Sequence, residues 1–413
     1  MGEYIKWRDD ELSIKEVIKK YPDVSPFIII KTDAQRRGVA YTEAALERVD
    51  PKIHQTVHRS FSGQKENNTP FSLLMRDGTS ILTGDRGKLP QSRDPILVDV
   101  VDGKTVLTDQ GEVLEEVIYW EKPDFYDKVT SRGEPMWHVA WARPQRIDLN
   151  PHQYCQFWET PGHGCKYCAI GAAYKNGNKP RFVNIDDIDE TVTEALKQKG
   201  RFTSVFLTGG TILSGGEVLD DEVEFYISIL KRIGKNFKTE RFPSQLIGTA
   251  FSKRQLKRIY EETGLMSYTA DIEVLNKELF GWICPGKDAR IGYDEWKDRL
   301  LQAVDIFGRG YVNTGLVVGT ELAKPNGFES EDEAYEKVIT EAESLAKYGV
   351  APVGCVWTID QGSIFFNQKT PSLEYYIRIA KGFDGLRRKY DINVDMDNYR
   401  RCGNHPDTDL SRI

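Results

Sequence analysis

From residue 145 to about 390 the chain alternates short apolar runs with amphipathic helical patterns, and this alternation constrains its fold more than any other feature. The runs RIDLN, SVFLTGG, QLIGTA, SYTADIEV, VNTGLVVG and APVGCVW are each followed by helical periodicity, over about 186–199, 219–233, 253–263, 293–307, 331–347 and 372–390. Neighbouring parallel strands need a long crossover, so a strand answered by a helix six times predicts a parallel sheet. The expected fold class is α/β, a partial or complete (βα) barrel over 141–390 whose active site sits at the C-terminal ends of its strands. INVDM, from Ile392, reads as a last strand in a C-terminal tail over 391–413.

The first 140 residues follow a different pattern. Ile14, Val17, Ile18 and Tyr21 share one face of a helix. Asp77-Gly78 and Asp102-Gly103 each lie between apolar runs, the signature of hairpins with left-handed turn residues. Stretches rich in Gly, Pro and charge, GDRGKLPQSRDP and TSRGEPM, punctuate this part and set a boundary near residue 140. It reads as an α+β module whose aromatics, Trp120, Phe125, Tyr126 and Trp137, form either a binding face or a core.

No apolar run approaches the length of a membrane span, and the N-terminus mixes both charges without the apolar stretch of a signal peptide. A cytoplasmic protein without a membrane partner is expected. The net charge of −7, with no basic repeat or RNA-binding signature, argues against nucleic acid and for a small-molecule or peptide-like substrate.

Cysteine usage narrows the chemistry. Three of the six cysteines fall in CQFWETPGHGCKYCAIG directly after the first barrel strand, with Cys155, Cys165 and Cys168 spaced C-x9-C-x2-C. Such crowding points to metal binding in a reducing compartment rather than to a disulfide framework. Three thiolates can hold three irons of a 4Fe-4S cube and leave the fourth open. The other reading is a structural zinc, with His152 and His163 completing the ligands and the barrel binding a small ligand without radical chemistry. A single C-x2-C without a second close pair favours the cube. Gly162 and Gly164 would let the loop curl around it and offer amides to its sulfides. Cys284 in ICPGKD, Cys355 and Cys402 are scattered. They could form a second cluster if brought together, though such cysteines are commonly buried thiols, and His405 beside Cys402 reads equally as a tail residue.

With Tyr167 just before its third cysteine, the loop resembles that of the radical S-adenosylmethionine (SAM) superfamily. The usual family spacing is C-x3-C-x2-C; the longer first gap has a parallel in the catalytic subunit of Elongator, whose acetyltransferase domain has no counterpart here. The resemblance implies a 4Fe-4S cluster and SAM as cofactors, with Tyr167 packing by the adenine. Thr208, Gly209, Gly210 and Thr211 of LTGGT would receive the methionine amino group. Asp271 and Glu273, two apart on a strand and therefore on one face, would hold ribose and amino group as in the biotin synthase and hydrogenase-maturase branch. Arg299 would pair with the SAM carboxylate, its alternative being a surface salt bridge. NTGLVVGTE resembles the family's G-x-I-x-G-x-x-E strand, with Gly315, Val317, Gly319 and Glu321 in the matching places and room for the adenine against the backbone. The implied activity is reductive cleavage of SAM and abstraction of a substrate hydrogen atom by the 5'-deoxyadenosyl radical. The enzyme would be oxygen-sensitive and fed by a low-potential donor such as ferredoxin or flavodoxin. No separate cobalamin module is evident, and no residue acting on substrate stands out.

Overall fold

The computed structural model describes residues 11–56, 69–83, 94–143, 145–176, 181–392 and 405–411. Two sheets organise them. The first comprises β1 (Val39–Tyr41), β2 (Ser72–Met75), β3 (Ser80–Leu82), β4 (Ile96–Val101), β5 (Lys104–Asp109) and β6 (Glu112–Tyr119), in the order β1-β4-β5-β6-β2-β3. Both expected hairpins form: β2 and β3 pair antiparallel across Asp77-Gly78, and β4 and β5 across Asp102-Gly103, whose φ values of 49° and 75° are those of a left-handed turn. A third such turn, Gln110-Gly111, joins β5 to β6; only its glycine marks it in the sequence.

The second sheet comprises β7 (Ala140–Ala142), β8 (Arg146–Leu149), β9 (Ser204–Thr208), β10 (Phe242–Ile247), β11 (Leu265–Thr269), β12 (Val312–Val318) and β13 (Val350–Val356), ordered strictly from β13 to β7. From β8 to β13 every pairing is parallel, and β7 adds an antiparallel edge. Right-handed crossovers between strands laid down in sequence put every helix on one face, so the sheet curls with its other face inward. Among the described residues β7 and β13 are the edges, so the sheet forms a partial barrel. The helices agree with the periodicity: Ile185–Ala195, Asp220–Gly234, Lys253–Glu262, Tyr293–Phe307, Glu331–Ala346 and Leu373–Lys389.

The expectation for SYTADIEV needs correction. β11 stops at Thr269, and Glu273 takes φ 72°, meeting Leu316 of β12 in an isolated parallel bridge. Asp271 and Glu273 therefore leave on a bent strand end, not from one flat face. INVDM lies outside the described residues from 393 onward, as does Cys402.

Each sheet has its own core. Ile14 and Val17 pack beneath the first sheet with Leu73, Val98 and Leu107. Phe125 and Tyr126 are buried in the barrel core and Trp120 carries Arg201 over its ring at 4.7 Å, so these aromatics pack inside rather than form a face. Between the sheets lies the helix Pro26–Arg37, buried from Ile28 to Arg37, charged residues included. Against it rests the short C-terminal helix Pro406–Leu410, where Asp407, Thr408 and Asp409 are fully buried.

Candidate metal and cofactor site

Leaving β8 at Leu149, the chain passes His152 to reach Cys155, turns once through Gln156–Glu159, and carries Cys165 and Cys168 into the helix Ile170–Asn176. The loop thus crowns the C-terminal end of the sheet. Its conformation follows from small residues in the right places. A Cβ on Gly164 or on Gly171 would lie 2.5 Å from the Trp158 ring, so the two glycines form a slot for the indole. Gly164 therefore makes room for Trp158, where the sequence suggested room for a cluster; Gly162, with φ 80° and open space beside it, does shape the turn.

The glycine pair after β9 is pressed against this loop. A Cβ on Gly210 would fall 1.9 Å from the Tyr154 carbonyl, and one on Gly209 2.9 Å from that of His152. Gly210 N–H donates to His152 O at 3.1 Å, and the His152 ring returns the contact, its Nδ1 2.6 Å from Gly210 O. A carbonyl can only accept, so Nδ1 carries the proton. Burial pulls this imidazole down to about 4, so it is neutral at pH 7. His152 is a strut between cluster loop and glycine pair, as a loop hydrogen-bonder should be. Thr211 then reaches Cys155 through backbone and hydroxyl, and its Oγ1 lies 2.8 Å from that of Thr249 at the next strand end.

The three thiols suit an iron–sulfur cube. All are free, Cys165 is buried, Cys155 and Cys168 are half-buried, and Cys165 acts electrostatically on both of the others. Burial pushes the Cys155 thiol up to about 11 and raises Cys168 as well, while a hydrogen bond from Cys284 lowers Cys165. A cube takes each thiolate on a different iron, whereas tetrahedral zinc needs its donors on one centre.

Around the loop stand the other strand ends. Tyr167 sits among Cys165, Cys168 and Glu273, and burial raises its phenol well above the ordinary range. Asp271 Oδ1 accepts from Gly315 N–H at 2.8 Å; a Cβ at Gly315 would come within 2.4 Å of the same oxygen, which explains the glycine. Burial, then the nearby Glu273 charge, pushes Asp271 up to about 6. Val317 is half-buried on the Gly315 side of β12. Gly319 ends that strand at φ 109°, and its N–H donates to both oxygens of Glu321, at 3.0 and 2.9 Å. Arg299 reaches the mouth too, but its fork is engaged: Nη1 donates to Ala250 O at 2.8 Å and Nε to Glu295 at 2.6 Å. Thr208 closes β9 half-buried. Cys284 and Cys355 have different surroundings: Cys284 lies by Cys165 and Lys287, and Cys355 by Tyr376 and Asp407.

Two participants, Lys287 and Glu222, escaped the sequence reading. Lys287 Nζ donates to Glu273 Oε1 at 2.7 Å and to Asp271 O at 2.6 Å, 4.7 Å above the Trp296 ring. Glu222, buried within the helix Asp220–Gly234, accepts from Ile212 N–H at 2.8 Å and from Thr249 N–H and Oγ1 at 3.0 Å, tying two strand ends together. Burial lifts its carboxyl to about 7. Cys284, named in the sequence among the scattered cysteines, lies beside Cys165. Lys287 and Cys284 share ICPGKD, whose proline before a helix was the available sign; Glu222 gave none.

No family model matches the chain. The bacteriochlorophyllide c C-7(1)-hydroxylase of Chlorobaculum limnaeum is 23% identical over 341 residues, 79% of this chain and 80% of that one. Among solved structures, a radical SAM methyltransferase from Sphaerobacter thermophilus aligns over 96% of this chain and 98% of its own, at 14% identity and a TM-score of 0.42. TYW1 with a lysine-pyruvate adduct bound aligns over 58% and 73%, at 12% identity and a TM-score of 0.34. A three-cysteine loop crowns a sequentially ordered parallel half-barrel, with glycine-bearing and acidic strand ends ranged around it, the arrangement that the resemblance to the radical SAM superfamily implies.

Proposed function

We propose that Cys155, Cys165 and Cys168 hold a 4Fe-4S cluster, and that the chain cleaves SAM reductively and abstracts a hydrogen atom from a small-molecule or peptide-like substrate. The observation that carries this is the meeting of the three free thiols with Tyr167 and Glu273 at the barrel mouth. When bound, cluster and SAM supply a carbon-centred radical able to attack an unactivated C–H bond.

The chain's own residues prepare the place. Gly209 and Gly210 carry no side chain between strand end and loop; Gly210 gives both its backbone groups to His152, so an ammonium would be received by the Gly209 carbonyl. Lys287 anchors Glu273, and Gly315 N–H anchors Asp271, so both carboxylates keep fixed positions for the polar groups of a nucleoside. Asp271 at about 6 accepts or gives a hydrogen bond near neutral pH. Val317 and Gly319 would flank the adenine, and Arg299 would offer its remaining Nη2 to a carboxylate. A small substrate fits the relative that matches most of the chain, a hydroxylase named for a bacteriochlorophyllide. It also fits the packing of the front aromatics into cores. Among the described residues no helix is long and apolar enough to cross a membrane. Free cysteines and a low-potential donor such as ferredoxin or flavodoxin suit the cytoplasm.

The test is anaerobic reconstitution with iron and sulfide, then electron paramagnetic resonance of the reduced protein with and without SAM, and chromatography for 5'-deoxyadenosine. A reduced-cluster signal perturbed by SAM, with deoxyadenosine formed and both lost in Cys165→Ala, is expected. A colourless zinc protein that leaves SAM intact overturns the reading.

A further inference from the structure

The helices Lys277–Ile283 and Pro285–Arg290 are inserted between β11 and the helix Tyr293–Phe307, and they lie against the cysteine loop. Two backbone hydrogen bonds hold them there: Lys166 N–H donates to Ile283 O at 2.9 Å, and Gly286 N–H to His163 O at 3.0 Å. One bond falls just after Cys165 and just before Cys284, the other before Cys165 and after Cys284, so the two bracket both cysteines. Lys166 Nζ adds a third tie, to Trp282 O at 2.6 Å.

Cys284 is fully buried, and its backbone N–H is satisfied by Phe280 O at 2.8 Å. Its thiol is a hydrogen-bonding neighbour of Cys165, with the Lys287 ammonium beside both sulfurs. A Cβ on Gly286 would lie 2.5 Å from His163 O, so the close approach of the two segments depends on that glycine. Every feature that brings Cys284 to Cys165 is thus built into the backbone, although Cys284 lies more than a hundred residues from the loop and in no motif with it.

We infer that Cys284 is a positioning residue for the cluster, its S–H donating to the Cys165 sulfur when that sulfur ligates iron and so raising the reduction potential. The inference rests on the function proposed above. A donor to a ligand sulfur favours the more negative, reduced cluster over the oxidised one. No bond is made or broken, and the fourth iron stays open for SAM.

A redox titration followed by electron paramagnetic resonance on the reconstituted full chain tests this, with iron and sulfide content measured on every sample. Cys284→Ala is expected to bind as much iron as wild type and to show a more negative midpoint potential. Cys284→Ser, which keeps a donor, is expected to return close to the wild-type value. A wild-type potential in Cys284→Ala overturns the inference, as does a serine variant that falls with the alanine one. Loss of iron from Cys284→Ala overturns it too, by making Cys284 a ligand. Wild-type protein that cleaves SAM while Cys284→Ala keeps its potential sinks this inference alone; wild-type protein that takes up no cluster sinks the proposed function, and the inference with it.

Discussion

Two regions of this molecule bury charge, and they do it in opposite ways. At the seam between the two sheets every buried charge named here has a counter-charge. Lys31 pairs with Asp409, both fully buried; Arg36 and Arg37 share Asp33, and Arg37 reaches Asp109; Arg387 grips Asp407 at 2.7 Å. Burial alone would raise Asp33, but the two guanidinium groups outweigh it and hold the carboxyl below its usual range. At the barrel mouth Glu222 and Asp271 are bound mainly by backbone N–H groups and hydroxyls, and burial wins, lifting them to about 7 and about 6. The seam pairs its charges with one another and holds the fold, whereas the mouth leaves two buried carboxyls that titrate near neutral pH.

The sharpest way to separate the two is to cut one side chain from each. Cys165→Ala should abolish cluster binding outright, with iron per chain falling to the background of untreated protein, while the thermal midpoint of the metal-free protein moves little. Metal analysis and thermal denaturation on the same sample check both halves. An iron content like wild type would remove Cys165 from the ligand set. Asp409→Ala should do the reverse. It strands the Lys31 ammonium at 0% exposure, a loss of about 3–5 kcal/mol by the general cost of breaking a buried pair, and leaves the cysteine loop untouched. Urea unfolding measures it; a change under about 1 kcal/mol would mean that the seam charges are solvated after all.

The two regions should also differ in sign with pH. Glu222 binds its proton more tightly folded, at about 7, than at its ordinary 4.5. Its contribution to stability is fully present below 4.5 and is lost as pH rises through about 7. Asp33, depressed by its arginines, contributes above its ordinary 3.8 and loses that contribution as pH falls through its folded value. Glu222→Gln should therefore flatten the decline between pH 4.5 and about 7, worth on the order of 3 kcal/mol, and leave the acid limb in place. Denaturation curves at several pH values decide this. An unchanged decline in the variant would place the titrating group elsewhere.

What the sequence disclosed divides along the same line. Helices such as Tyr293–Phe307 and Lys253–Glu262 are legible because apolar spacing is a local signal, and the cysteine loop because thiols at close spacing have few other uses. Seam and mouth are assembled from residues far apart in the chain, and no periodicity marks such contacts. Helix Pro26–Arg37 reads as polar in KTDAQRR yet is buried, because its counter-charges arrive from the N-terminal hairpins and the C-terminal helix. Asp271 and Glu273 were legible as residues but not in posture: Glu273 bends to φ 72° because Lys287, fourteen residues on, holds its carboxylate while its backbone bonds to β12.

The smallest expected effect probes that posture directly. Gly315 is glycine because Asp271 occupies the space a side chain would need, at 2.4 Å from the carboxylate oxygen. Gly315→Ala must push Asp271 away or shift β12, an overpacking cost of about 1–3 kcal/mol. β12 is paired along its whole length with β13, so the carboxylate is the part that yields. Moving it should weaken SAM binding about tenfold, in keeping with a loss of roughly 1.4 kcal/mol, beside the modest fall in stability that overpacking brings. Equilibrium dialysis of SAM against the cluster-loaded variant makes the measurement. Wild-type affinity would take Asp271 out of the SAM pocket, and a large fall in stability with affinity intact would assign the Gly315–Asp271 contact to the fold, on the same footing as the seam.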